Sequence, residues 1–333
     1  MSQPIRAWFS QALQNQWYRL APWHILLIPL SWLFWLLSGL RRLFYKAGLF
    51  KSYQLPVPLI VVGNISVGGT GKTPFVIWLA QKLQQSGYRP GIVTRGYGGS
   101  ATGGMPVHDD SDPSLVGDEP VLLARQSKCP VWMGRDRVTA AQGLLKMYPE
   151  CNVVISDDGL QHYRLKRDIE IAVVDSSRGF GNGWLLPAGP LREKTSRLTK
   201  VDAIVCNGDT TATKAYPMKL QAVLFNNLLD PDKTAMARDF AGQRLYAVAG
   251  IGNPQRFFQQ LEGMGLQFER QAFPDHHAFT AADLQIDNAD AILMTEKDAV
   301  KCSAFAKPNW WYLPVSAVID EALLERILNK LRN

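Results

Sequence analysis

Hydrophobic and polar positions along this 333-residue chain fall into three patterns. The first is an uninterrupted apolar run, WHILLIPLSWLFWLLSGL at 23–40, followed at once by Arg41, Arg42 and Lys46. As a helix, 18 residues reach about 27 Å, close to the roughly 30 Å of bilayer hydrocarbon. Pro29, His24, Ser31 and Ser38 weaken a crossing, and five of the ten Trp residues lie in the first 35 positions, as in an interfacial belt. An anchor lying in the membrane plane fits equally. A core helix competes with both readings, as does a cleaved signal, although no small-residue cleavage site follows.

The second pattern is a series of short apolar runs that end in glycine or a carboxylate: LIVVGN, GIVTRGYGG, NVVISDDGLQH, IEIAVVDSSRGFGNG and VDAIVCNGD. The third is helical spacing, as in TPFVIWLAQKLQQSG, closed by Gly87. Strands that alternate with helices predict an α/β fold, a mostly parallel P-loop-like sheet with ligands at the C-terminal strand ends. A second, smaller α/β unit is expected from Arg244, where RLYAVAGIGNPQRFFQQLEGMG, ADAILMTEKDAVK and WWYLPVSAVIDEALLERILNKL repeat the pattern. The expected organisation is a membrane-associated leader over 1–54, a nucleotide domain over 55–209, a linker over 210–243 and a C-terminal unit over 244–333. The Gly250-Ile251-Gly252 turn lacks the third glycine and the distant acid of a dinucleotide site, so it reads as a tight βα turn.

Composition narrows the classes. With 47% hydrophobic and 20% charged residues, global disorder is excluded. Ten of the 36 basic residues precede the first acid, Asp109, so the net charge of +7 is all N-terminal and flanks the apolar run. That placement suits an anionic membrane surface with the body on the cytoplasmic side. It does not suit a nucleic-acid partner, which calls for a basic stripe on a folded face. Cys129, Cys151, Cys206 and Cys302 stand far apart without a CxxC pair and read as reduced thiols, not a zinc site.

The glycine loop S-V-G-G-T-G-K-T, residues 66–73, departs from the consensus only in carrying Ser66 for the first glycine. Ser66, Val67, Gly68, Gly69, Thr70 and Gly71 offer backbone N–H groups to phosphate oxygens. Lys72 reaches the outer phosphates and Thr73 is a ligand for Mg²⁺. No N-K-x-D for guanine occurs, so ATP is the expected nucleotide. Asp157 and Asp158, at the tip of an apolar strand, stand where a carboxylate pair holds Mg²⁺, and Glu119 is a further candidate ligand.

The ordered motifs V-G-N-I-S-V-G-G-T-G-K-T-P, T-R-G-Y-G, G-D-E-P, D-D-G-L-Q-H, P-A-G-P-L-R-E, F-P-D-H-H and T-E-K-D resemble those of the tetraacyldisaccharide 4′-kinases, over almost the whole chain. Departures are Lys194, where proline is expected, and Leu160, where some members carry Phe. The resemblance implies an ATP-dependent kinase acting on an acylated disaccharide 1-phosphate at the inner membrane, without an obligate protein partner. It marks Asp118 as the catalytic carboxylate, with His276 orienting and tuning it, and Arg137 as the catalytic arginine. A helix cap remains open for Asp118, and an ion pair with Asp136 remains open for Arg135 and Arg137. Arg95, Tyr97 and Arg192 are candidates for the sugar and its phosphate, because the guanidinium fork binds phosphate bidentately. Gln161 and His162 are candidates for sugar or nucleotide contact. His277 reads as a bystander, and Lys297 and Asp298 have no assigned role. Asp118 and His276 lie in different units, so closure of a cleft is expected to bring them together. The competing function is a membrane-bound P-loop ATPase switch whose output is a change in a protein partner.

Overall fold

A computed structural model of the chain describes residues 17, 24–210, 215–230 and 232–332. The rest of the expected leader before His24, parts of the expected linker (211–214 and 231) and residue 333 lie outside the described residues. The larger of two sheets contains β1 (Leu59–Gly63), β2 (Pro90–Thr94), β3 (Met105–Val107), β4 (Val131–Met133), β5 (Val153–Asp157), β6 (Ile169–Asp175), β7 (Ala203–Asn207) and β8 (Ala215–Gln221). The smaller contains β9 (Phe225–Asn227), β10 (Thr234–Ala235), β11 (Leu245–Ala249), β12 (Phe268–Ala272), β13 (Ala291–Thr295) and β14 (Trp310–Leu313); the last strand, β15 (Ser316–Ile319), rejoins the larger sheet. Spatial order is β15-β8-β7-β6-β1-β5-β2-β4-β3 in one and β10-β9-β14-β13-β11-β12 in the other. From β8 to β4 the larger sheet is parallel, with antiparallel β15 and β3 at its edges.

The helices are α1 (His24–Lys46), α2 (Lys72–Gln85), α3 (Pro113–Val116), α4 (Asp118–Ser127), α5 (Arg137–Met147), α6 (Pro254–Gly263), α7 (Glu296–Cys302) and α8 (Glu321–Arg332). Strands β1, β2, β5 and β13 are buried at every position. A parallel sheet covered on both faces requires this, and it is why these strands read as continuous apolar runs and not as alternations. Phe75, Leu79 and Leu83 of α2, Val121 and Leu123 of α4 and Ile327 of α8 cover one face of the larger sheet. Val138, Ala141 and Leu144 of α5 cover the other.

The boundaries drawn from sequence need correction. The segment 210–243 is not a simple linker, since β8 extends the larger sheet while β9 and β10 edge the smaller one. The end of the 244–333 unit returns to the first: β15 pairs with β8, Val318 opposite Lys219, and Leu323 and Ile327 of α8 join the first core. The pairing supplies hydrogen-bond partners to a strand edge and the helix buries its apolar face, but which sheet receives them is a long-range choice. Helix α1 is longer than the uncharged run and continues through Arg41 and Arg42 to Lys46, with Pro29 in its interior.

Candidate functional site

The site forms where β1, β5 and β6 end side by side and the smaller unit leans over them. After β1 the chain turns through residues 64–71 into α2. Gly68 (φ 109°) and Gly71 (φ 91°) adopt backbone that side chains disfavour, and a Cβ at Gly71 would lie 2.6 Å from Asn207 Nδ2. Gly71 begins α2 with no side-chain cap, which leaves the first-turn N–H groups for an anion. The loop is held from outside: Asn207 Nδ2 donates to Thr70 O (3.2 Å) and Val67 N to Pro190 O (2.8 Å). Ser66 pairs in an isolated bridge with Leu191, so no left-handed residue is needed at the position where the consensus has glycine.

The expected carboxylate pair is split by its surroundings. Asp157 is buried; Thr94 Oγ1 donates to its Oδ2 (3.1 Å), while its Oδ1 has no hydrogen-bond partner among the described residues. Burial, with the Glu119 charge nearby, raises its pKa to about 6. Asp158 (φ 50°) instead receives Arg192 Nη1 at 3.1 Å on both oxygens and lies 3.6 Å from Lys72 Nζ. Burial opposes ionisation there, but Lys72 and Arg192 override it and hold the group at about 2. Asp158 is thus a fixed anion between the phosphate-loop lysine and Arg192. Asp157 is left as an under-satisfied oxygen donor beside Glu119. The unpartnered Asp157 Oδ1, with the Glu119 carboxylate near enough to raise its pKa, fits Mg²⁺, which uses few protein oxygen ligands and keeps water and phosphate for the rest. Thr73 lies in the first turn of α2, next to Lys72.

Asp118 opens α4 after Gly117 (φ 97°) and is buried, with Oδ1 accepting from Glu119 N (2.9 Å). Gly117, not Asp118, is the N-cap of this helix and no side chain caps it, so Asp118 does not fill the capping role, and its other partners come from the smaller unit. His276 Nδ1, from the smaller unit, lies 3.2 Å from both Asp118 oxygens. Closure is not required for this contact, which is already made. Burial would raise the Asp118 pKa, yet the His276 hydrogen bond and the Lys297 charge hold it below the ordinary value. His276 moves the other way, above its ordinary value, because the Asp118 bond overrides burial. The Tyr97 ring packs on His276 at 4.9 Å between centroids.

Lys297, for which sequence offered no role, lies at the junction of the two units. Its Nζ is 3.1 Å from Glu119 Oε1, 3.6 Å from Asp275 Oδ1 and 3.9 Å from Asp118 Oδ2. These three carboxylates override the effect of burial and keep it charged. Fully buried Asp298 accepts from Gly250 N (3.0 Å) and pairs with Lys301 (2.7 Å), fixing the Gly250–Gly252 turn to α7. That turn comes close to the phosphate loop: Arg178 Nη2 donates to Gly252 O (2.7 Å), and Arg256 Nη2 of α6 donates to Asn207 Oδ1 (2.8 Å). Sequence reading missed Arg178, Arg256, Asn207 and Lys297, since each acts on a residue at least 49 positions away.

The other candidates divide. Arg95 and Tyr97 are exposed at the rim, as is Arg135. Arg137 is buried, and neither arginine pairs with Asp136, whose partner is Arg164 (2.7 Å). Arg137 donates to Gly134 O (2.8 Å) and Asp157 O (3.1 Å), so it braces the end of β5 from behind. Gln161 Nε2 donates to Asn64 O (3.0 Å) and Glu193 Oε1 (2.8 Å), part of the support under the loop. Burial and Arg137 depress the His162 pKa to about 4, which keeps the ring neutral. His277 faces Asp283 and stacks on Phe273, within its own unit.

A family model described as tetraacyldisaccharide-1-P 4′-kinase matches residues 23–332. The chain is 56% identical over 323 residues to the tetraacyldisaccharide 4′-kinase of Methylobacillus flagellatus, covering 97% of this chain and 96% of that one. It is 51% identical to that of Azoarcus sp. (strain BH72), covering 96% and 95%. Among solved structures, the "apo" form of LpxK from Aquifex aeolicus in complex with ATP superimposes with a TM-score of 0.80 at 28% identity, covering 92% of this chain and 99% of that one.

Proposed function

The chain belongs to the tetraacyldisaccharide-1-P 4′-kinase family, and from that premise we propose how its residues carry out the transfer. It is an ATP-dependent kinase that phosphorylates the 4′-hydroxyl of a tetraacyldisaccharide 1-phosphate. The observation that carries the residue assignment is the contact between Asp118 and His276 beside the phosphate loop. Asp118 takes the proton of the 4′-hydroxyl as its oxygen bonds to the γ-phosphorus and the bond from that phosphorus to the β–γ bridging oxygen breaks, releasing ADP. His276 fixes the orientation of Asp118, which itself holds the proton taken from the hydroxyl. A general base held in this way is worth roughly 10² to 10⁴ in rate.

Ser66–Thr73 and the α2 N-terminus cradle the phosphates, and Lys72 supplies positive charge to the γ-phosphoryl group. Asp157, Glu119 and Thr73 are the residues to hold Mg²⁺, which would neutralise charge across the β- and γ-phosphates when bound. Arg137 braces Asp157 and, through it, the metal position. Arg95, Tyr97 and Arg192, with Gln161 and His162 below them, face the sugar and its 1-phosphate. The exposed apolar face of α1 and the basic Arg41, Lys46 and Lys51 dock the enzyme on the cytoplasmic surface of the inner membrane, where the hydroxyl lies at headgroup level. Purified protein incubated with ATP, Mg²⁺ and tetraacyldisaccharide 1-phosphate is expected to yield a lipid heavier by one phosphate. ATP hydrolysis with no phosphorylated lipid would overturn the reading.

A further inference from the structure

The cations around the phosphate loop differ in what they face. Arg137 has its guanidinium on the carbonyls of Gly134 and Asp157. Lys72 lies 3.6 Å from Asp158, and Arg192 bonds both oxygens of that same carboxylate. Arg256 lies 3.5 Å from Asp175 Oδ2, and Lys297 sits among Glu119, Asp275 and Asp118. Arg178 stands apart: among the described residues its guanidinium pairs with no acid, and the bond it donates goes to a carbonyl, Gly252 O (2.7 Å).

The position of Arg178 is built from two sides. Buried Asp175 ends β6, the strand beside β1, and its Oδ1 accepts from Ser177 N (2.9 Å), Ser177 Oγ (2.6 Å) and Arg178 N (3.3 Å). Gly179 N donates to Asp175 O (2.9 Å), so the turn carrying Arg178 is tied to the end of the strand. From there the side chain reaches across the phosphate loop, and a Cβ on Gly68 would lie 2.8 Å from its Nη1. The far nitrogen, Nη2, is held by Gly252 of the smaller unit, where a Cβ would lie 3.8 Å from Gly69 N. The guanidinium is thus pinned through one nitrogen, with the other against the glycines that cradle the outer phosphates. Its planar fork of five N–H donors matches phosphate oxygens.

We propose that Arg178 is a catalytic arginine supplied in cis, whose guanidinium contacts the γ-phosphoryl group of ATP and the β–γ bridging oxygen during transfer. As the sugar oxygen bonds to the γ-phosphorus, the bond from that phosphorus to the bridging oxygen breaks and its electron pair leaves with ADP. Negative charge grows on the bridging oxygen, and Arg178 donates N–H groups to it without giving up a proton. Gly252 O aims the guanidinium, which gives the smaller unit a second part in the reaction beside that of His276. This inference deepens the kinase reading above and rests on it.

The test compares Arg178→Gln and Arg178→Lys with the wild type by rapid-quench transfer to tetraacyldisaccharide 1-phosphate, by thermal unfolding, and by binding of ADP with Mg²⁺, alone and with aluminium fluoride as a mimic of the transferring group. Arg178→Gln is expected to lower the transfer rate about 10³-fold or more, with unfolding unchanged and the KM for ATP altered only a few-fold. Arg178→Lys, a point charge without the fork, should recover only part of the rate. ADP alone should bind both variants nearly as it binds the wild type, while the extra affinity conferred by aluminium fluoride falls about tenfold or more. Transfer by Arg178→Gln within about threefold of the wild-type rate would overturn the proposal. Equal losses of affinity for ADP and for the mimic would also overturn it, since Arg178 would then only hold the loop to the smaller unit. Both of those results leave the kinase reading standing, whereas a wild type that forms no phosphorylated lipid would overturn that reading and this inference with it.

Discussion

Replacing Glu296 with Gln tests how the two units are joined. Glu296 sits at the start of α7, 9% exposed, and accepts a hydrogen bond from Gln126 Nε2 of α4. Burial raises its pKa from 4.5 to about 7. The unfolded chain thus ionises at lower pH than the folded one, and stability falls as pH rises between about 4.5 and 7. At about 1.4 kcal/mol per pKa unit, the ionised carboxylate costs about 3 kcal/mol at pH 8 and about 1 kcal/mol at pH 5. Gln keeps the acceptor oxygen and removes the titration. The variant is expected to melt about 5 °C or more above the wild type at pH 8, with the difference shrinking towards pH 5. Thermal unfolding followed by circular dichroism at both pH values measures this. An equal difference at the two pH values, or a less stable variant at pH 8, would refute burial of an ionisable Glu296 between the units.

Two further outcomes follow from the same geometry. Lys297→Met removes the cation between Glu119, Asp275 and Asp118, and steady-state kinetics should show kcat reduced about 10- to 100-fold with the KM for ATP little changed, partly restored by Lys297→Arg. Because Asp157 is pushed up to about 6, protons compete with the metal below that value, and the Mg²⁺ concentration giving half-maximal activity should rise about tenfold between pH 7 and pH 5.

Most of the fold was legible because buried parallel strands and amphipathic helices leave strong local patterns. The phosphate loop, the Asp157-Asp158 strand end and the GDEP helix start were readable at the right positions for that reason. Sheet membership was not: Ser316–Ile319 has the pattern of any short strand, and nothing within it encodes pairing with Ala215–Gln221. Side-chain roles set by distant partners were equally hidden. The resemblance marks Arg137 of GRDRV as a catalytic arginine and local sequence leaves an ion pair with Asp136 open, and only the fold shows its guanidinium buried on the carbonyls of Gly134 and Asp157. Ser31 weakens an apolar run on any hydropathy scale, and only the fold reveals that Leu185 and Ala188 satisfy its hydroxyl.

The central claim is that Asp118, held by His276, removes the proton of the lipid hydroxyl. Rapid-quench transfer of the γ-phosphoryl group from pre-bound ATP to tetraacyldisaccharide 1-phosphate, wild type against Asp118→Asn, measures that step directly. The expected result is a transfer rate lowered roughly 10²- to 10⁴-fold with ATP affinity within a few-fold of wild type. Transfer by Asp118→Asn at the wild-type rate would contradict it.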